Sequence, residues 1–160
     1  MSRTRILSID GGGIKGIVPA VVLLHLEKLL QNLSSNPNSG IHDYFDLFSG
    51  ASTGAIIIAG LLSPDTNNRP KYSSKEILDL YLENGQIIFK SSLFQEIKSV
   101  SGIVNVKYDS EGLESVFEKY FGKSELKDLL KPSLIPVYDL SRGKNYFFRQ
   151  QKALISPRHN

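Results

Sequence analysis

The sequence contains no cysteine and no tryptophan, and its single methionine is the first residue. Without cysteine, the chain has neither a disulfide framework nor a thiol nucleophile. Long apolar runs are also missing, because residues 18–24 and 55–62 fall well short of the roughly 20 residues that cross a bilayer. The stretch after Arg3 and Arg5 breaks at Asp10 and three glycines. We therefore expect no signal peptide, and a protein that is cytoplasmic or peripheral to a membrane.

Size and charge suit one domain with an ordinary solvated surface. The chain has 160 residues, of which 41% are hydrophobic, enough for a substantial core. Its formal net charge is +3, with the two signs interspersed. No basic stretch alternates with aromatic residues, so a nucleic acid is not expected as a partner. We also expect no cofactor and no metal.

The first of two glycine-rich segments follows an apolar strand predicted over residues 5–9. Asp10 leads into Gly11, Gly12 and Gly13, and consecutive glycines let backbone N–H groups converge on an anion. Apolar residues then recur at spacings of three and four, which predicts an amphipathic helix. Its expected apolar face comprises Val18, Val21, Val22, Leu26, Leu29, Leu30 and Leu33.

The second segment follows a strand predicted over residues 44–49 and precedes a buried helix predicted over Thr53–Leu62. It has the pattern G-x-S-x-G, with Ser52 between Gly50 and Gly54. At a strand–helix junction this pattern places the serine on a sharp turn and exposes its hydroxyl. The alternative is a serine that only caps the helix. A nucleophile beside an anion-binding glycine loop favours acyl transfer to water.

Together, the two segments resemble the patatin-like phospholipase family. The similarity is carried by residues 10–20, 43–46 and 50–54, with weaker similarity near residues 67–70, 108–109 and 137–140. It extends from about Thr4 to the end of the chain. The resemblance implies a three-layer α/β/α fold with a mostly parallel sheet. It also implies a lipid acyl hydrolase that cleaves fatty acyl esters of phospholipids or other glycerolipids, with peripheral membrane contact.

The resemblance also implies roles for individual residues. Ser52 is the expected nucleophile, and the loop of Gly11, Gly12 and Gly13 is the expected oxyanion hole. The expected supporting residues are Asp10, Lys15, Gly16, Gly50 and Gly54. For Lys15 two roles remain open, a positive field near the oxyanion or a pair with Asp10 or solvent. Asp10 is expected to accept backbone N–H bonds more than to act as a base.

No histidine has the sequence context of a Ser-His-Asp triad. His25 lies among leucines of a predicted helix, His42 precedes a predicted strand, and His159 is near the end of the sequence. Patatin-like enzymes use a Ser-Asp dyad without histidine, which agrees with this distribution.

The dyad aspartate of the family is missing from these 160 residues. It normally belongs to an Asp-Gly-Gly or Asp-Gly-Ala motif after the nucleophile, whereas Asp-Gly occurs here only at Asp10-Gly11. Asp128 and Asp139 are each followed by leucine. We therefore expect residues 4–160 to be a patatin-like domain that is incomplete at its C-terminal side. Such a domain would leave an apolar edge open over residues 134–148.

Two alternatives to the hydrolase remain. The glycine loop also fits G-x-G-x-x-G, the fingerprint of dinucleotide binding. That fingerprint requires an acidic residue about 20 positions later, and residues 29–34 contain none. A nucleotide-binding module is therefore less favoured. A catalytically inactive fragment or regulatory partner with a patatin-like shape is the second alternative, because the dyad aspartate is missing.

Further along the chain, the sequence predicts helices and then strands. Ser73 and Glu76 form a capping-box pattern at the start of one helix. Residues 85–106 have no clear period. A later helix starts at Asp109 or Ser110 and ends at Gly122. Strands are predicted over residues 134–140 and 146–149, joined by a hairpin-like turn.

Overall fold

The computed structural model describes residues 3–90 and 110–156. These residues form a mostly parallel sheet with helices on both sides, which confirms the predicted α/β/α fold. The strands, in their order across the sheet, are β1 (Ile6–Ile9), β2 (Leu47–Gly50), β3 (Ser133–Asp139) and β4 (Lys144–Arg149). The helices are α1 (Ile17–Ser34), α2 (Thr53–Leu62), α3 (Ser74–Lys90), α4 (Ser110–Phe121) and α5 (Gln150–Ile155).

The parallel pairing of β1 and β2 places the two glycine-rich segments at one edge of the sheet. Ile9 pairs with Gly50, so both strands end at the same level. β3 is parallel to β2, and β4 is antiparallel to β3. Since parallel strands all present their carboxyl ends on one side, the turns that follow β1 and β2 are neighbours.

Helix α2 forms the centre of the core. Its residues Ile57, Ile58 and Leu62 are fully buried. Gly60 permits the contact with α3, because a Cβ at that position would lie 2.0 Å from Cδ1 of Ile77. A helix that is apolar on all sides is expected to be buried, and here this sequence prediction is confirmed.

The face that α1 buries differs from the apolar face predicted for it. Ala20, Leu23 and Glu27 are buried, and Leu26 and Leu30 are partly buried. The Glu27 carboxylate accepts a 3.0 Å hydrogen bond from the N–H of Ser74 at the start of α3, which holds a charged residue in the interface. The remaining predicted core positions are exposed, namely Val18, Val21, Val22, Leu29 and Leu33.

Helix α3 begins with the predicted capping box. The N–H of Ser73 donates to the Glu76 carboxylate at 2.8 Å, and the N–H of Glu76 donates back to Ser73 Oγ at 3.3 Å. The helix continues through Lys90, so residues 87–89, left unassigned from the sequence, are helical. The apolar residues 103–104 and Asp109 lie outside the described part of the chain.

Other element boundaries also differ from the sequence prediction. β2 starts at Leu47 rather than at residue 44, because the N–H of Tyr44 closes a 3-10 turn on the carbonyl of Ile41. β3 ends at Asp139, whose carboxylate accepts the N–H of Ser141 and starts the turn. The short helix α5 was not predicted. The predicted stop of α4 is confirmed, with Gly122 at a left-handed φ of 56°.

The edge strands of the described sheet are β1 and β4. Residues 134–148 were expected to form an open apolar edge, but β3 is paired on both sides and only β4 lies at that edge. The expectation was therefore wrong for β3, and β1 is an edge that the sequence did not indicate. Among residues 3–90 and 110–156, no helix has the length and apolarity needed to cross a membrane.

Candidate active site

Ser52 occupies a strained turn between β2 and α2. Its backbone has φ 51° and ψ −118°, a conformation that is costly for a residue with a side chain. The N–H groups of Gly54 and Ala55 close the turn on the carbonyls of Ala51 and Ser52, each at 2.9 Å. The Ser52 side chain is exposed and makes no capping hydrogen bond to α2. The geometry is that of a sharp strand–helix elbow and does not support the capping alternative.

Gly50 and Gly54 are required by the close approach of backbone around the elbow. A Cβ on Gly50 would lie 2.5 Å from the carbonyl carbon of Gly54. A Cβ on Gly54 would lie 2.2 Å from the carbonyl oxygen of Ile9, at the end of β1. A side chain at Gly54 would therefore push the elbow away from the first strand, whereas one at Gly50 would collide with the start of α2.

The glycine loop lies against the serine. A Cβ on Gly11 would come within 2.8 Å of the Cβ of Ser52. Gly13 is buried and has a left-handed φ of 59°, which favours glycine. Within the described residues, the N–H groups of Gly11 and Gly12 have no protein acceptor. The loop thus presents unpaired backbone donors next to a serine hydroxyl.

Asp10 and Lys15 flank the loop and are both exposed. In the described part of the chain, no ion pair joins them, and the Asp10 carboxylate accepts no hydrogen bond. The backbone bonds expected for Asp10 are therefore not observed. Lys15 closes the 3-10 turn through its N–H to the Gly12 carbonyl, at 3.2 Å. Gly16 ends that turn and lies against the interior.

Tyr81 of α3 is the site residue that sequence reasoning missed. Its hydroxyl donates a 2.7 Å hydrogen bond to the carbonyl of Thr53, the residue after Ser52. Burial raises the pKa of Tyr81 well above its usual value, so the phenol stays protonated and can donate. In the sequence Tyr81 is only one of several apolar positions in a helix. No sequence signal reveals its role, because its partner is a backbone carbonyl distant in the chain.

His42 is the buried member of a polar cluster whose other members, Asp43 and Arg69, are exposed. Its Nε2 lies 3.1 Å from Asp43, and Arg69 binds the same carboxylate at 2.9 and 3.0 Å. Burial lowers the pKa of His42, and the Asp43 charge offsets this only in part. Burial acts to raise the pKa of Asp43, but hydrogen bonds from Arg69 and Gly40 outweigh it and hold that pKa below its usual value.

The remaining candidate acids and bases do not meet Ser52. His25 is exposed on α1, and His159 lies outside the described residues. Asp128 accepts the N–H of Glu125 at 2.8 Å and is committed to a local turn. Asp139 likewise binds its own turn, and the hydrogen bond from the Ser141 hydroxyl lowers its pKa. In residues 3–90 and 110–156, no group of three His, Cys, Asp or Glu side chains has metal-binding geometry.

An apolar groove of about 480 Å³ adjoins the glycine loop. It lies between β1 and the first turns of α1. Its apolar lining residues are Leu7, Ile9, Val18, Pro19, Val22 and Leu23, and its polar end contains Asp10 and Lys15. The exposed face of α1 continues the groove away from the loop.

The comparison with known proteins agrees with this geometry. The Patatin-like phospholipase family model matches residues 7–157. Patatin group M-3 of Solanum tuberosum is 36% identical over 152 residues, which cover 95% of this chain and 37% of that protein. Patatin-like protein 4 of Arabidopsis thaliana is 34% identical over 155 residues, which cover 97% and 39%. The chain spans about two-fifths of the length of these relatives. It belongs to the patatin-like phospholipase family.

Proposed function

We propose that this chain carries the nucleophile and the oxyanion hole of a lipid acyl hydrolase. The observation that carries the proposal is the contact of Ser52 with the glycine loop. Ser52 stands exposed at a left-handed φ of 51°, and Gly11 is packed against its Cβ. A hydroxyl beside unpaired backbone donors is the arrangement that acyl transfer requires.

In the proposed reaction, Ser52 Oγ attacks the carbonyl carbon of a fatty acyl ester. The Oγ proton passes to a general base as the new bond forms. The N–H groups of Gly11, Gly12 and Gly13 bind the oxyanion, and the positive end of α2 adds to the stabilisation. Loss of one such donor costs on the order of 3 kcal/mol of transition-state stabilisation. The alcohol leaves, and water then releases the fatty acid from Ser52.

The proposed Ser-Asp dyad lacks its aspartate among these 160 residues, because no Asp-Gly motif follows Ser52. Asp128 and Asp139 are held in their own turns, and Asp10 lacks a hydrogen bond within the described chain that would orient it. In the sheet formed by the described residues, strand β1 is an edge, so a further strand can pair with it. If that strand ran parallel, its carboxyl end would lie beside the glycine loop and could present an aspartate there.

The proposed substrate is a phospholipid or another glycerolipid at a membrane surface. The groove beside the glycine loop is lined mainly by apolar residues, which suits a fatty acyl chain. The exposed residues Val18, Val22, Leu29 and Leu33 extend it along α1 as an apolar strip. We propose that this strip makes the peripheral membrane contact.

The alternative is a catalytically inactive patatin-like fragment or regulatory partner. It is favoured by one observation, the lack of a base in contact with Ser52 among the described residues. In that case the elbow and the loop would be intact but the serine would remain unactivated.

The experiment compares residues 1–160 with a form extended through the next Asp-Gly-Gly or Asp-Gly-Ala motif. Release of p-nitrophenol from a fatty ester and of fatty acid from phosphatidylcholine vesicles is measured. We expect turnover in the extended form only, and its loss in Ser52→Ala. Ser35→Ala is the matched control, since Ser35 also has a positive φ, 52°, but ends α1. Ser52-dependent turnover in the short chain would place the base within it, and Asp10 would be tested next.

A further inference from the structure

Tyr81 contacts both glycine-rich segments from the interior. Its hydroxyl donates to the Thr53 carbonyl at 2.7 Å, one residue after the nucleophile. Its ring lies against Gly16, where a Cβ would come within 2.7 Å of Cε1. Only 1% of Tyr81 is exposed, so solvent does not compete for these contacts.

Tyr81 can affect Ser52 through its hydrogen bond to the adjacent residue, Thr53. A strained backbone persists only when the surrounding structure fixes it. The φ of 51° at Ser52 depends on how the first residue of α2 is held relative to β2. The phenol fixes the carbonyl of that first residue, and so restricts rotation of the peptide units that orient the serine hydroxyl.

Gly16, which follows the glycine loop, packs against the ring of Tyr81. It ends the 3-10 turn Gly13–Gly16 and is buried. Because Gly16 has no side chain, its backbone packs against the aromatic ring. The Thr53 side chain lies on the same side, with Oγ1 3.2 Å from where a Gly16 Cβ would lie. The position of the loop relative to the elbow therefore depends on one aromatic residue between them.

We propose that Tyr81 is a positioning residue that holds the Ser52 hydroxyl and the Gly11–Gly13 amides in register, acting through Thr53 and Gly16. The inference rests on the function proposed for those two groups. Tyr81 itself contacts no reacting atom. Tyr81→Phe keeps the ring on Gly16 and removes only the hydrogen bond to Thr53, which makes that bond separately testable.

Tyr72 offers a matched control. Its hydroxyl also donates to a backbone carbonyl, that of Tyr120, at 2.6 Å. The bond joins the loop before α3 to α4, and so fixes structure away from the glycine loop. Both Tyr→Phe variants lose one phenol–carbonyl hydrogen bond, but Tyr72 is only half-buried and the Tyr120 carbonyl also accepts from Lys71 Nζ at 3.1 Å. The loss of stability is therefore measured in both variants by urea unfolding, beside the kinetics.

The kinetic test uses the full-length protein and a fatty ester substrate. We expect Tyr81→Phe to lower kcat by about tenfold with KM changed by less than about twofold, because misplaced groups stabilise the transition state less while ground-state binding persists. Its rate of labelling by a fluorophosphonate should fall in parallel. Tyr72→Phe should keep wild-type kcat. Equal kcat values in the two variants would overturn the inference.

A second readout does not depend on activity. In ¹H–¹⁵N spectra, Tyr81→Phe should shift the amide resonances of Gly12 and Gly54, whereas Tyr72→Phe should leave them in place. Unchanged Gly12 and Gly54 resonances in Tyr81→Phe would overturn the positioning role, whatever the kinetics. Absence of Ser52-dependent labelling in the wild type would instead refute the proposed function, and the spectra would still decide the role of Tyr81.

Discussion

Gly11 and Ser52, 41 positions apart in the sequence, are so close that a Cβ on Gly11 would lie 2.8 Å from the Cβ of Ser52. The contact follows from the parallel pairing of β1 with β2, which ends both strands at one level. It joins the glycine loop and the Ser52 elbow into a single candidate site. Five predictions concern this site and its surroundings.

Replacing Ser52 should separate stability from reactivity. Glycine adopts a φ of 51° without steric cost, whereas alanine does not. We therefore expect Ser52→Gly to be more stable than Ser52→Ala by about 1 kcal/mol, measured by urea unfolding. Neither variant should react with a fluorophosphonate in the full-length protein. Labelling that survives in either variant would show that Ser52 is not the nucleophile.

Two glycines of the site should respond differently to alanine. A Cβ on Gly12 would meet only the Cβ of Lys15, at 3.4 Å, so the Gly12→Ala protein should fold. We expect it to lose turnover far more than lipid binding, because the role proposed for the loop is to bind the transition-state oxyanion. Parallel losses of turnover and vesicle binding in Gly12→Ala would contradict this role.

Gly54→Ala supplies the structural contrast. Its Cβ would lie 2.2 Å from the carbonyl oxygen of Ile9, a backbone atom that cannot move aside. We expect destabilisation by about 3 kcal/mol or more, measured by urea unfolding. A Gly54→Ala protein of wild-type stability would mean that β1 and the elbow are less tightly packed than the structure shows.

His42 should make stability fall in mildly acidic solution. Burial lowers its pKa below the ordinary value of 6.5, so the unfolded chain binds a proton at a higher pH than the folded chain. The contribution of His42 to the free energy of unfolding is therefore fully present above pH 6.5. It is lost as the pH falls towards the pKa of His42 in the folded protein.

Urea unfolding at several pH values between about 7.5 and 5 measures this effect, above the range in which carboxylates titrate. His42→Gln should flatten the slope in that range. The matched control is His25→Gln, the same substitution at an exposed position on α1, and the two slopes are compared. A wild-type slope in His42→Gln would assign the pH dependence to other groups.

Residues 1–160 alone should associate through β1. This strand is an edge of the described sheet, and Ile6 on it is 56% exposed. A free apolar edge favours pairing with another chain, and a lysine there opposes it. We expect Ile6→Lys to reduce light scattering, whereas Ile155→Lys, at a position 84% exposed on α5, should not. Equal effects would indicate non-specific association.

The sequence predicts the backbone turns at Ser52 and Gly11 more accurately than the packing of α1. The motif around Ser52 and the loop at Gly11 depend on local backbone geometry that only glycine permits, so they leave a signature in the chain. The buried face of α1 includes Glu27, which is charged. Periodicity cannot identify such a position, because its burial depends on the partner at Ser74.

The sequence by itself determined the elbow, the glycine loop, the caps at Ser73 and Gly122 and the α/β order of elements. Each of these follows from interactions within a few residues. The tertiary structure alone decided that Gly11 touches Ser52, that Tyr81 holds Thr53 and that β1 is an edge. Those contacts join segments that are distant in the chain, and their partners are often backbone atoms, which every residue carries and no sequence pattern can mark.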